Sequence, residues 1–298
     1  MIEKTFEDFL GEKLAYVDTR AEDKKTLILI HGNMSSSIFF ESTIEAFKSE
    51  YRILAPDLPG FGDSSHNSDY PDLKSYADLM ARFLIKKVPG QVFLLGWSMG
   101  AGVVYQMLLD PLIKDRIDKA IILSGVGLGG YGYKQVLEKR IMDFKPFENF
   151  GSKTFLEKVE DIKEFYRQAQ NFGLQEEIRF TAIRNILKKS VYSDMEVDEA
   201  ELDRNTKEAL KQNNHREIIK SLYNFDLITN EEYKKIDNKL LILHGSKDKV
   251  VLEETAHESY ELLKERAKLV ILEGSHGLMA TNFYEYIREI SKFIGGGQ

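Results

Sequence analysis

Apolar residues in this chain fall into two rhythms. Short, uninterrupted apolar runs close on glycine or aspartate at "TLILIHG" from Thr26, "YRILAPD" from Tyr51, "QVFLLG" from Gln91, "KAIILSG" from Lys119, "KLLILHG" from Lys239 and "KLVILEG" from Lys268. A run without polar alternation suits a strand buried on both faces, as in a parallel sheet. Between the runs the period changes. Leu73, Tyr76, Leu79, Met80, Phe83 and Leu84 step by three and four through "LKSYADLMARFLIKK", which predicts a helix with one apolar stripe. Alternating strands and helices predict an α/β fold of right-handed βαβ units, an open sheet covered on both sides.

The rhythm breaks between Gly127 and Lys235, where charged, helix-forming sequence takes over. This predicts a helical cap, 127–235, inserted into a catalytic core of 1–126 and 236–298. Phe155, Val159, Ile162, Phe165, Tyr166 and Ala169 keep helical spacing there, and aromatic residues such as Phe144, Phe147, Phe150 and Phe172 belong mainly to helix packing. The insertion opens on "GVGLGGYGY", read as a connector or hinge, and the chain closes on a terminal "GGGQ" expected to lack fixed structure.

With 298 residues, 43% of them hydrophobic, a large core is possible. The net charge of −7 and the lack of a basic run argue against nucleic acid as a partner. No stretch approaches the length of a membrane span and the N-terminus lacks a signal-peptide core, so a cytoplasmic protein without membrane insertion is expected, as a monomer or homodimer. The absence of cysteine removes thiolate chemistry, and no histidine and carboxylate spacing suggests a metal site; no cofactor is expected.

The candidate chemistry begins at "GWSMG", where Ser98 stands between Gly96 and Gly100 after a predicted strand and before a predicted helix. A strand-turn-helix of this kind lifts a serine hydroxyl above the carboxyl end of the sheet in a strained turn that tolerates no side chain two residues away. A serine hydroxyl needs a base, and the base needs a carboxylate to orient it. His276 follows the last strand in "GSHG", and Asp248 follows the strand before it in "GSKD", with Glu253 or Asp237 as alternative acids. The order Ser98, Asp248, His276 is that of a nucleophile elbow enzyme. Backbone amides of Met99, at the helix start, and Asn33, in "HGNMSSS", are the expected oxyanion donors, with Met34 the second choice to Asn33. Trp97 and Met34 are candidate pocket residues, although Trp97 could equally pack beneath the site. His31 and His244 are expected to be structural, and His66, His215 and His257 exposed.

Carried by "HGN", "DLPGFGDSS", "GWSMG", "GSKD" and "GSHG", the chain resembles the α/β-hydrolase superfamily, in its capped serine-hydrolase branch, from Lys13 to Ile294. The resemblance implies a mostly parallel eight-stranded sheet and acyl transfer to water. Serine at position 98 separates the chain from members that use aspartate or cysteine there. "HGNMSSS" and "GWSMGA" depart from the oxyanion loop and elbow of the carbon–carbon bond hydrolases. Esterases, enol-lactonases and intracellular poly(3-hydroxybutyrate) depolymerases remain similar. The expected substrate is an ester, lactone or polyester, and the expected activity is hydrolysis of carboxylic esters of small or short-chain acyl groups. A non-catalytic ligand receptor is the reading from another class.

Overall fold

The computed structural model describes residues 2–130, 175–193 and 195–295. Its strands are β1 (Thr5–Phe9), β2 (Glu12–Asp18), β3 (Thr26–Ile30), β4 (Arg52–Pro56), β5 (Val92–Trp97), β6 (Ile117–Leu123), β7 (Lys239–Gly245) and β8 (Ala267–Leu272). They form one eight-stranded sheet in the order β1-β2-β4-β3-β5-β6-β7-β8. Strands β1 and β2 pair antiparallel with each other and β2 with β4, and every pairing from β4 to β8 is parallel. All six apolar runs are strands of the parallel part. The β1–β2 hairpin has no such run, because β1, "TFEDF", alternates half-buried and exposed residues. Its tight turn uses Leu10 and Gly11 at φ of 48° and 89°.

The helices described are α1 (Glu41–Phe47), α2 (Leu73–Lys87), α3 (Met99–Leu109), α4 (Gln175–Ile186), α5 (Glu199–Ala209), α6 (His215–Asn224), α7 (Glu253–Leu263), α8 (Leu278–Thr281) and α9 (Phe283–Gly295). Helix α2 matches the predicted stripe: all six apolar positions are buried. Asp72 caps it by accepting the Ser75 amide at 2.8 Å, and Lys86 and Lys87 sit in the last turn, where cations offset the helix dipole.

The unalternating strands are explained by two cores. Ile28 and Ile30 of β3 and Leu94 of β5 pack with Tyr76, Met80, Val103 and Val104 of α2 and α3. Their neighbours Leu27, Leu29, Phe93 and Leu95 point the other way, to Ile44 and Phe47 of α1 and Tyr286 and Ile290 of α9. Each large apolar side chain buried in this way stabilises the fold by about 1.5–3 kcal/mol.

In the described part of 127–235, the glycine-rich start is not a loose connector. Gly127 and Gly130 exchange amide hydrogen bonds at 2.9 and 3.0 Å, Leu128 is buried, and its carbonyl accepts the Leu227 amide at 2.7 Å. Helices α4 to α6 follow. The helix expected over Phe155 to Ala169, the aromatic residues Phe144, Phe147, Phe150 and Phe172, and the last three residues lie outside the described residues. Among the described residues, no helix is long and apolar enough to cross a membrane.

Candidate active site

Ser98 ends β5 and caps α3 with φ of 56° and ψ of −121°, a backbone conformation that non-glycine residues rarely adopt. The neighbouring glycines make the turn possible. A side chain on Gly96 would strike the carbonyl of Gly100, and one on Gly100 would strike the carbonyls of Ile30 and His31 in the adjoining strand. The strained residue is held from both sides. Its amide donates to Leu123 O at 3.0 Å, and its carbonyl accepts the amides of Ala101 and Val126, each at 3.1 Å.

His276 and Asp248 meet at the carboxyl ends of β8 and β7. His276 Nδ1 donates to Asp248 Oδ2 at 2.8 Å, with both side chains almost wholly buried. The carboxylate accepts, so Nδ1 carries the proton and Nε2 is the nitrogen left to act as a base. Asp248 Oδ1 accepts the amides of Val250 and Val251 at 2.7 and 2.9 Å. Burial pushes the Asp248 carboxyl up, but the charge and hydrogen bond of His276 outweigh it and hold the group below the usual range. Glu253 pairs with exposed His257, and Asp237 with Arg266, so neither alternative acid makes this contact.

Trp97 links this pair to the serine. Buried beside Ser98, its indole Nε1 donates to His276 O at 2.9 Å, and the Trp97 and His276 rings lie 5.4 Å apart. Its other face packs on Phe39 and Phe40. The loop after β3 closes over the serine from the other side: a side chain on Gly32 would come within 2.8 Å of Ser98 Cβ. His31 braces that loop. Its Nε2 accepts the Leu58 amide at 3.0 Å, which leaves the proton on Nδ1 to be donated to Gly32 O at 2.8 Å. Burial lowers its affinity for a second proton, so the ring stays neutral.

The two candidate donors in this loop differ. The Met34 amide donates to Gln212 Oε1 at 2.8 Å, whereas the Asn33 and Met99 amides donate to no described residue. Met34 itself is half-buried at a φ of 54°.

Two contributors went unforeseen. His244 Nε2 donates to Val251 O at 2.8 Å and lies 3.3 Å from Asp248 Oδ2, so the acid sits between two imidazoles. Gln212, on the inserted segment, has no motif to announce it. Of the histidines expected on the surface, His215 and His257 are exposed, while His66 stacks on Tyr70 and pairs with Glu217 at 3.1 Å.

One group of carboxylates, Asp57, Asp63 and Glu208, is close enough to share an ion. The Lys4 ammonium already fills the position, 2.8, 2.7 and 2.9 Å from their oxygens. This group holds the loop after β3 too: Asp57 Oδ1 accepts the Ser37 amide at 2.8 Å, and Ser36 Oγ donates to Glu208 at 2.7 Å.

The profile of the alpha/beta hydrolase fold family matches residues 25–283. The chain belongs to that family. A Mycoplasma genitalium protein, named provisionally as esterase/lipase 2, is 29% identical over 175 residues, 58% of this chain and 60% of that one. The chain thus matches less than two thirds of that relative's length. The pimeloyl-[acyl-carrier protein] methyl ester esterase of Aliivibrio salmonicida is 22% identical over 90% of this chain and 91% of its own. Among solved structures, an esterase from Exiguobacterium antarcticum superposes with a TM-score of 0.75 at 19% identity, covering 98% of this chain and 100% of that one, which is a likeness of fold.

Proposed function

We propose that the protein is a serine hydrolase that cleaves carboxylic esters of small or short-chain acyl groups, with 1–126 and 236–298 as its catalytic core and 127–235 as a cap. The observation that carries this reading is the strained Ser98 elbow standing next to Trp97, whose indole holds the loop of a buried, paired His276 and Asp248. The relatives named as ester hydrolases favour an ester over other acyl substrates.

In this mechanism Ser98 Oγ attacks the ester carbonyl carbon while His276 Nε2 takes the hydroxyl proton. Asp248 keeps the imidazole in the tautomer that leaves Nε2 free and stabilises the cation formed. The carbonyl oxygen becomes an oxyanion, held by the Asn33 and Met99 amides; the second also has the start of α3 behind it. Collapse breaks the bond to the leaving alcohol, which takes the proton from His276. Water, deprotonated by the same nitrogen, then releases the acid and restores the serine. Trp97 braces the His276 loop in this scheme, and Met34 lies at the mouth of the oxyanion loop.

Hydrolysis of 4-nitrophenyl esters from acetate to palmitate tests the reading, with Ser98→Ala as the blank. Turnover should depend on Ser98 and peak at short chains, while the melting temperature of the variant stays close to that of the wild type, because alanine keeps the Cβ and with it the same backbone conformation. Turnover by Ser98→Ala close to that of wild type would remove the serine from the mechanism.

A further inference from the structure

The inserted segment reaches the oxyanion loop through Glu208, which accepts from Ser36 Oγ at 2.7 Å, and, nearer the serine, through Gln212. Gln212, 4% exposed, follows α5, and its amide grips two consecutive residues of the loop. Oε1 accepts the Met34 amide at 2.8 Å, and Nε2 donates to Asn33 Oδ1 at 2.8 Å and to Asn214 Oδ1 at 3.0 Å. The grip has its own anchor. Asn214 Nδ2 donates to Pro59 O at 3.0 Å and to Tyr76 Oη at 2.9 Å, and the Asn213 amide donates to Gly60 O at 3.0 Å.

Peptide planes are rigid, so a loop residue is oriented by fixing the planes and side chain around it. Gln212 fixes the plane after Asn33 through the Met34 amide and the Asn33 side chain through Oδ1. On the other side, His31 and Ser35 fix the Gly32 carbonyl, at 2.8 and 2.7 Å. The Asn33 N–H shares the plane of the Gly32 carbonyl, and Gln212 holds the next plane and the Asn33 side chain, so the residue that carries the amide is fixed on both sides. Met34, at a φ of 54°, is held in a conformation that side-chain-bearing residues rarely adopt and that persists only where surrounding contacts demand it.

We propose that Gln212 is a positioning residue for the oxyanion hole: from the inserted segment, it aims the Asn33 amide at the oxygen that becomes negative. This rests on the serine hydrolase reading above. Gln212 touches no reacting atom, so its contribution belongs to the step in which charge develops and not to the hold on the substrate.

The test uses the full-length protein with 4-nitrophenyl butyrate, comparing wild type, Gln212→Met, Gln212→Glu, Asn33→Ala and the double variant Asn33→Ala with Gln212→Met. Methionine keeps the length and removes all three side-chain hydrogen bonds of Gln212. It should lower kcat by about 10-fold or more, with KM within about twofold of wild type. Glutamate keeps an acceptor for the Met34 amide and should recover part of kcat. If the methionine variant does not fold, a lower kcat at unchanged KM for Gln212→Glu supports the proposal, and an unchanged kcat overturns it. Because Gln212 acts through Asn33 and Met34, the double variant should lose much less than the product of the single losses. Multiplying losses, a wild-type kcat in Gln212→Met, or a loss confined to KM would each overturn the proposal. A wild type without Ser98-dependent turnover would instead overturn the hydrolase reading and this inference with it.

Discussion

Asp248 is a carboxylate with both oxygens bonded, Oδ1 to the Val250 and Val251 amides and Oδ2 to His276 Nδ1, with His244 Nε2 3.3 Å from Oδ2. Replacing it with asparagine keeps the shape and removes the charge that selects the His276 tautomer. Asp248→Asn should lower kcat by roughly 10⁴-fold, as expected where a triad acid orients its histidine. Steady-state kinetics near neutral pH would check this, and a kcat within about tenfold of wild type would exclude Asp248 from that role. At this scale the sequence was legible where a motif ties a residue to a strand end. Ser98 stands in the strained turn that "GWSMG" predicts and Asp248 meets His276, whereas Glu253 and Asp237 pair elsewhere; the catalytic roles of the three belong to the proposal above. His244 and Gln212 were not legible as site residues. Their contacts are made by folding, Gln212 with a loop 179 residues away, and neither carries a spacing that chemistry requires.

Strands and helices were legible wherever burial removed polar alternation or imposed a helical stripe. The β1–β2 hairpin escaped because its outer strand is a half-exposed edge, and the packed turn at Gly127 to Gly130 looked like a flexible connector because glycine's lack of a side chain serves both. Helix α3 begins hard against the end of β3. A methyl group on Gly100 would collide with the backbone of Ile30 and His31, and backbone has no rotamer to yield. Gly100→Ala should therefore destabilise the protein by about 1–3 kcal/mol in urea unfolding. It should also cut turnover, because the displaced helix begins at the residue after Ser98. A variant of unchanged stability would mean that α3 can slide along the sheet.

Across the whole molecule, Lys4 joins the first strand to the loop after β4 and to helix α5. Burial opposes its charge, but Asp57, Asp63 and Glu208 outweigh that and raise its affinity for the proton. Glu208 and Asp63 are pushed up by burial and pulled further down, chiefly by hydrogen bonds from Lys211 and by Lys4. Folded carboxyls below their unfolded values, 4.5 for Glu and 3.8 for Asp, stabilise the fold above those values, and the contribution is lost as pH falls through the folded ones. Lys4→Met takes the cation from buried Asp57 and leaves Asp63 and Glu208 with Lys211, and should cost about 3 kcal/mol near neutral pH. Melting temperatures measured from pH 7 down to about 4 should show the gap to wild type closing, since protonation relieves the uncompensated charge. A gap that holds constant or widens toward acid would refute this account of the cluster.

Three loops of the candidate site each bond to one stretch of the segment between β6 and β7. Val191 O accepts the Gly277 amide at 3.0 Å, Ser193 Oγ donates to Lys247 O at 2.8 Å, and Gln212 holds Asn33 and Met34. Free energy exchanged across such contacts is reciprocal. Whatever the seated stretch lends to the order of the loops, ordered loops lend back to its seating, so a ligand that selects one selects both. For the ester proposed above, part of the affinity would then be spent on fastening this stretch, and a change on its outer surface would alter turnover without altering a single group at the serine.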